Sequence, residues 1–464
     1  MTRDSLAAVV RLVLMLALAG CASGGGAADT AAKAPRETTE PIERLIVVSI
    51  SGLRASDLRD PGLPTLSLLA SQGAVAERVE SVGAPLAYPA HATIITGRPP
   101  DRHAVVADWL LGKRGIRSEP FWRANRVMGQ SLWQAARLQG REVATIGWPS
   151  TVGVSLGSIV PDLAPLRGGE TWLGVLEGST TPALLDAMRE SLGDAPQWPP
   201  AEARDRAHIA AACRALSGPQ SPSLLLLRLE EPALAMQTDG IDSDAASAAR
   251  LNVDARVAEL VRCLRNVGRR AGTAIAIVGD RGFAPVHTRI DPNVLLAEAG
   301  WLDASLAGLR SWVAIVRATD SLATLHAESE RAAMAVRRIL EKAASETRSF
   351  RVVSAKELQE LRGDPRAWFG LEAMPGYVFG DATAGPLLRA SERRAAGVAA
   401  SDDIAFALVG AGVRERVTIS QMSTLDVAPT LATLIGVDLK GTEGRVLVGI
   451  LARQKRPAAS ATEQ

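Results

Sequence analysis

Five short apolar runs recur along this chain with amphipathic helical stretches between them, and that alternation constrains its fold more than any other feature. The runs are residues 45–49 (LIVVS), 143–147 (VATIG), 224–229 (LLLLRL), 274–278 (AIAIV) and 405–409 (AFALV). Each is too short for a core helix and too continuously apolar for a strand with one wet face. The helical patterns between them include residues 129–139, 203–216 and 247–267. Buried strands alternating with helices predict an α/β fold, a mostly parallel sheet covered by helices on both faces. Sites in such sheets form at the carboxyl ends of the strands. The rhythm breaks over residues 289–386, where a strand at 312–317, a helix at 325–346, a strand at 351–354 and a hairpin or edge strand at 376–380 predict a smaller inserted α+β lobe. The expected organisation is therefore a core of residues 41–288 and 387–452, the lobe 289–386, and a disordered tail 453–464.

The content of hydrophobic residues, 47%, suits a chain with a sizeable core, and no 18-residue apolar run interrupts it. With 52 basic against 50 acidic residues the net charge is +2, which gives no electrostatic case for nucleic acid.

The N-terminus has a different character. Arg3 and Arg11 precede the run LVLMLALAG, which ends at Cys21. Such a run is a secretory h-region, too short to span a bilayer. Leu18-Ala19-Gly20-Cys21 resembles a bacterial lipobox, whose cysteine is diacylated and becomes the mature N-terminus. An ordinary signal peptide cut near Ser23 is the alternative. The lipobox implies residues 1–20 as signal, 21–40 as a flexible tether without core-forming residues, and membrane attachment through Cys21. Ala22 after the cysteine resembles the class sorted to the outer membrane, facing the periplasm.

Residues 82–106, VGAPLAYPAHATIITGRPPDRHAVV, are punctuated by Pro and Gly around one short apolar helix. The helix is expected to begin near Tyr88–Pro89, where Pro is tolerated, and to stop at Gly97. This run resembles the nucleophile helix of the nucleotide pyrophosphatase/phosphodiesterase branch of the alkaline phosphatase superfamily. Pro89, His91, Thr93, Thr96, Gly97, Pro100 and His103 match the family pattern without a gap. The order of strands, the inserted lobe and the closing stretch MSTLDVAPTLATLIGVDLKGTEGRVL match as well.

That resemblance implies phosphoester hydrolysis by two zinc ions, held by three Asp and three His, with a Thr nucleophile and an Asn that stabilises the oxyanion. The nucleophile position here is Ala87 and the oxyanion position Ala90. Ser51 in Ile50-Ser51-Gly52-Leu53-Arg54 stands where a ligating Asp is expected. Glu231-Pro232-Ala233 through Gln237 puts Ala233 for Asp and Gln237 for His. Asp280-Arg281-Gly282-Phe283 keeps the Asp and replaces the His by Arg281. The last His-Gly best fits Ala396-Gly397, where loop length leaves the register loosest. One of the six ligand positions, Asp280, is retained, so no bound cofactor or metal is expected. Asp239 and Asp242 could at most hold Mg²⁺ or Ca²⁺ weakly.

Arg281 has two readings: a clamp for an anionic group in the vacated metal site, or simple neutralisation of Asp280, the blander expectation. His91 and His103 read as hydrogen-bonded core residues, and Trp122, Trp133 and Trp148 as core packing. Cys213 and Cys263 lie late in helices that precede strands; without geometry, buried free thiols are favoured over a disulfide. The leading expectation is a lipid-anchored envelope pseudoenzyme that binds an anionic small ligand or a protein partner. A divergent metal-dependent phosphodiesterase or phosphatase, and a purely structural envelope component, are the alternatives.

Overall fold

A computed structural model describes residues 42–113, 119–305 and 308–452. The signal segment, Cys21, the tether and the tail from residue 453 fall outside these residues.

All five apolar runs form strands of one eight-stranded sheet. Its order is Val417–Ile419, Ala74–Ala76, Phe406–Gly410, Thr273–Gly279, Arg44–Ile50, Leu224–Leu229, Val143–Trp148 and Ser158–Pro161. Arg44–Ile50 is central and runs parallel to both neighbours, pairing Leu45 with Leu224 and with Ala274. Phe406–Gly410 is antiparallel to Thr273–Gly279, so the sheet is mixed but mostly parallel. Every residue of Arg44–Ile50 is buried. The two-residue period of a strand divides those side chains between the two layers. Ile46, Val48 and Ile50 pack into one core cluster with Leu225, Leu227 and Ile277. Leu45 and Val47 pack into the other with Leu226, Phe406 and Leu431. Burying each such side chain contributes about 1.5–3 kcal/mol, and that gain selects this register.

The helices lie near their expected places, as Leu132–Leu138, Ala201–Ser217 and Asp244–Asn266. Cys213 and Cys263, from the last two, form a disulfide with their Cα atoms 5.7 Å apart. This corrects the expectation of free thiols, because the two helices pack side by side. No helix of the described residues is long and apolar enough to cross a membrane.

Over residues 289–386 the structure departs from the expected elements. The helix expected at 325–346 begins later, as Glu330–Thr347, with Ser329 capping it by accepting the Ala332 N–H. Leu322–Ala327 is instead a strand, antiparallel to both Ala314–Thr319 and Phe369–Ala373. Its LATLHA sequence reads as helical by propensity, and the cross-strand pairing overrides that weak preference. Phe350–Val353 completes a four-stranded antiparallel sheet over a core of Ile315, Leu325, Val336, Leu340 and Phe369. Gly376–Phe379 is an edge strand, one of the two expected alternatives. It pairs in parallel with Phe283–Ile290, a strand whose pattern, largely half-exposed, gave no sequence signal.

Candidate functional site

The helix of the resemblance spans Ala87–Thr96 and ends at Gly97, whose φ of 61° closes it in the left-handed region that glycine favours. Every one of its residues is buried. His91 fixes it to the sheet. Its Nε2 lies 2.9 Å from Ser49 Oγ, its Nδ1 lies 2.7 Å from the Ala87 carbonyl, and its ring meets Trp148 edge-on at 5.0 Å. Burial pushes the His91 pKa down to about 4, so the ring is neutral. His103 holds the next turn in the same way. It pairs with Thr93 Oγ1 at 3.0 Å and accepts the Val105 N–H at 3.1 Å, and burial takes it to about 3.

The positions read from sequence do come together. Ser51 and Asp280 are the residues just beyond the paired ends of the two central strands, Ile50 and Gly279. Gly52, at φ 80°, packs against Met236, Phe283 and the Ala233 backbone, leaving no room for a side chain. Ala233 and Gln237 are one turn apart on the helix Glu231–Asp239, whose start is held by the Asp205 carboxylate accepting the Glu230 and Glu231 N–H groups at 3.0 Å. Ala396 pairs with Ala284 across an antiparallel ladder, and the Arg394 N–H beside it reaches the Gln237 carbonyl at 2.7 Å. Ala90 is on the buried helix beside Ala87. Ala87, Gln237 and Arg281 line one cavity of about 710 Å³.

Two arginines take over the polar positions. Arg281 donates to one oxygen of the fully buried Asp280 carboxylate, while the Gly52 N–H donates to the other at 2.9 Å. Burial alone would raise the Asp280 pKa; Arg281, His91, the Gly52 N–H and Arg228 together bring it below the ordinary value. The Arg281 guanidinium also lies 4.9 Å over the Phe283 ring. Arg228 is the residue that sequence reasoning missed. Its Nε lies 3.4 Å from Ser51 Oγ, and its guanidinium pairs with Asp162 at 3.0 Å and Glu230 at 3.1 Å. Burial lowers its pKa, but those carboxylates outweigh burial and raise it. Glu230, half-buried between Arg228 and Arg204, is held down at about 2. The signal was there: a lone charge inside LLLLRL, just before the Glu-Pro stretch, is costly to bury without a partner.

The donor set does not fit a pair of zinc ions. Of the six positions only Asp280 offers a ligating carboxylate, and the Arg281 guanidinium already lies on it. Among the described residues no cluster of three or more His, Cys, Asp or Glu side chains has metal-binding geometry. The Asp242 side chain is 90% exposed and lies 3.9 Å from Arg54.

Part of the remaining wall is aromatic, beside charged side chains such as Arg317, Asp320 and Arg393. Trp133 and Trp148 are buried in the core as expected, but Trp122 also lines the cavity, with Trp109, Trp172 and Trp198. Arg204 stacks 4.5 Å over the Trp198 ring, and Trp172 meets His208 edge-on at 5.6 Å. The chain thus presents a cleft with carboxylate-paired arginines at its floor, aromatic rings on part of its wall and a methyl, that of Ala87, where the helix starts.

Comparisons with known proteins agree with this fold. A family model described as type I phosphodiesterase/nucleotide pyrophosphatase matches residues 45–384. Bis(5'-adenosyl)-triphosphatase ENPP4 of Bos taurus is 27% identical over 150 residues, 31% of this chain and 31% of that protein. Ectonucleotide pyrophosphatase/phosphodiesterase family member 1 of Homo sapiens is 25% identical over 131 residues, 27% of this chain and 14% of that protein. These alignments therefore span less than a third of either relative. The solved structure of murine ectonucleotide pyrophosphatase/phosphodiesterase 5 superposes with a TM-score of 0.62 at 16% identity, covering 87% of this chain and 97% of that one. An inactive form of the murine protein in complex with AMP superposes equally well, at 15% identity. At this identity the likeness is one of fold.

Proposed function

This chain belongs to the type I phosphodiesterase/nucleotide pyrophosphatase family of hydrolases, within the alkaline phosphatase superfamily, and on that premise we propose that it is a catalytically silent member that binds an anionic ligand. The observation that carries this reading is the Arg281–Asp280 pair at the end of the central sheet, next to a helix that starts on Ala87. A covalent phosphoryl intermediate needs a hydroxyl where Ala87 offers a methyl. A metal-activated water needs ligands that Ser51, Ala233, Gln237, Arg281 and Ala396 do not supply. What the floor does supply is the Arg281 guanidinium, which pairs with Asp280 yet keeps its Nε without a partner, a spare charged donor that suits binding of an oxyanion without turnover.

The place of action in this reading is the bacterial cell envelope, with the folded body tethered by lipid on Cys21 and facing the periplasm. The lipobox-like Leu18-Ala19-Gly20-Cys21 motivates the anchor, and the Cys213–Cys263 disulfide suits an oxidising compartment. An envelope protein partner is the other occupant this cleft could serve.

Metal analysis of the purified protein together with sulfate binding tests the proposal. Less than stoichiometric zinc, and sulfate binding that Arg281→Gln abolishes, are expected. Two zinc ions per chain would contradict it.

A further inference from the structure

Asp108 has no part in the roles above, yet it lines the same cavity as Ala87 and Arg281. Its Oδ1 accepts the Tyr88 N–H at 2.8 Å, in the first turn of the ten-residue helix Ala87–Thr96. Pro89 has no N–H to offer, and the Ala90 N–H is spent on the Leu86 carbonyl at 3.2 Å. The positive end of that helix is therefore already served by a carboxylate of the chain itself. Arg281, 94% buried, lines the same cavity and keeps its Nε without a partner. A helix start, a guanidinium with a spare donor and an internal carboxylate thus meet at one place.

We propose that Asp108 is an internal competitor for the ligand's anionic group, holding the start of the Ala87–Thr96 helix until an oxyanion displaces it or it takes up a proton. This rests on the anion-binding reading of the cleft and adds its regulation. The class of ligand is an oxyanion, as presented by a phosphate or sulfate ester. Such a group and the Asp108 carboxylate repel one another across a poorly solvated wall.

Several charged groups face Asp108 from the surrounding elements. Arg281 and Arg228 at the strand ends attract the carboxylate, and Asp320 of the lobe repels it. Arg317 donates to the carbonyl of the adjacent Trp109 at 3.1 Å. Burial, with Asp162 nearby, holds the Tyr88 phenol well above its ordinary pKa, and it stays neutral. Burial pushes Asp108 up to about 6, against the pull of the Tyr88 N–H and the arginines. Below that pH the carboxyl is neutral and the repulsion is gone, so anion affinity rises as pH falls. Reciprocally, a bound anion raises the pKa of Asp108 and draws a proton from solution. His91 and His208, both held at about 4, do not titrate in the same window.

Inorganic sulfate is the probe, because its charge is constant between pH 5 and 7.5. Calorimetric titration of the wild-type protein should show affinity rising about tenfold from pH 7.5 to pH 5. Asp108→Asn should bind at pH 7.5 as tightly as the wild type does at pH 5, with no dependence on pH. A wild-type measurement guards against misfolding of the variant: repeating the titration at pH 6.5 in buffers of different ionisation enthalpy should reveal proton uptake on binding. Sulfate binding without proton uptake, or a variant that keeps the wild-type pH dependence or binds more weakly, would overturn the competitor role and leave the anion site standing. No sulfate binding by either protein at any pH would remove the anion site and this inference with it.

Discussion

The Arg281 guanidinium donates to the Asp280 carboxylate with both side chains out of solvent, Asp280 wholly and Arg281 with 8% of its side chain exposed. The other carboxylate oxygen takes the Gly52 N–H at 2.9 Å, so the pair is fixed at the end of two parallel strands. A charge in such a place is tolerated only with its partner.

Removing one partner should therefore cost more than removing both. Arg281→Met leaves Asp280 buried and poorly compensated and should lose about 3–5 kcal/mol of stability. The double variant Asp280→Ala/Arg281→Met should recover most of that loss, a coupling of about 2 kcal/mol or more in a double-mutant cycle measured by chemical denaturation. Additive single effects would mean that the two charges are not coupled.

Four buried histidines set an acid limit on stability. His91, His208 and His326 are pushed down to about 4 and His103 to about 3, chiefly by burial. Each is neutral when folded and protonates at about 6.5 when unfolded. The unfolded state therefore binds more protons between pH 6.5 and pH 4, and stability falls as pH drops through that window. Each of the four contributes on the order of 2–3 kcal/mol to the loss. Asp108, raised to about 6, opposes the trend, as do Asp162 and Asp205, which burial also raises, while Asp280 and Glu230, held low, add to it. Melting curves should show the midpoint falling steeply from pH 6.5 to pH 4, with a shallower slope in His103→Gln. A midpoint flat across that range would be the contrary result.

The disulfide Cys213–Cys263 closes a loop with a sequence separation of 50 between two packed helices. A loop of that size contributes about 4 kcal/mol on the chain-entropy account. Cys213→Ser/Cys263→Ser should lower stability by roughly 2–4 kcal/mol while leaving sulfate affinity unchanged, since neither cysteine lines the cleft. Mass spectrometry that finds two free thiols in protein purified without reductant would exclude the bond.

The anchor rests on Cys21 alone in this account. Cys21→Ser should release the protein from membranes with its folded body intact. Variant protein that still pellets with membranes after a high-salt wash would count against lipid attachment.

Much of this architecture was legible in the sequence, for physical reasons. The five apolar runs read as buried strands because a parallel sheet covered on both faces demands continuous hydrophobicity, which Leu224–Leu229 and Arg44–Ile50 show. The helix around His91 was legible from Pro89 and Gly97, whose backbone limits punctuate it. Other features depend on contacts distant in sequence. Phe283–Ile290 is partly exposed along its length and is a strand because Gly376–Phe379 pairs with it. Leu322–Ala327 turned on long-range pairing in the same way. At the site, Ser51, Ala87, Gln237 and Arg281 were legible because neighbouring motifs fix their register. Asp108 was not, because what sets it apart is a backbone N–H contributed by Tyr88, 20 positions away.

The loss of the nucleophile and the loss of the ligands are independent in this account, so restoring one alone should achieve nothing. Ala87→Thr is expected to show no diesterase activity. Rebuilding the ligands as well, with Ser51→Asp, Ala233→Asp, Gln237→His, Arg281→His and Ala396→His, is the minimum for any recovery.

The central claim is tested most directly on the unmodified protein. Purified wild type, supplied with zinc and an aryl phosphodiester, is predicted to release no phenolate above the buffer rate. Zinc-dependent turnover that disappears in Asp280→Ala would contradict the account and make this chain a working hydrolase.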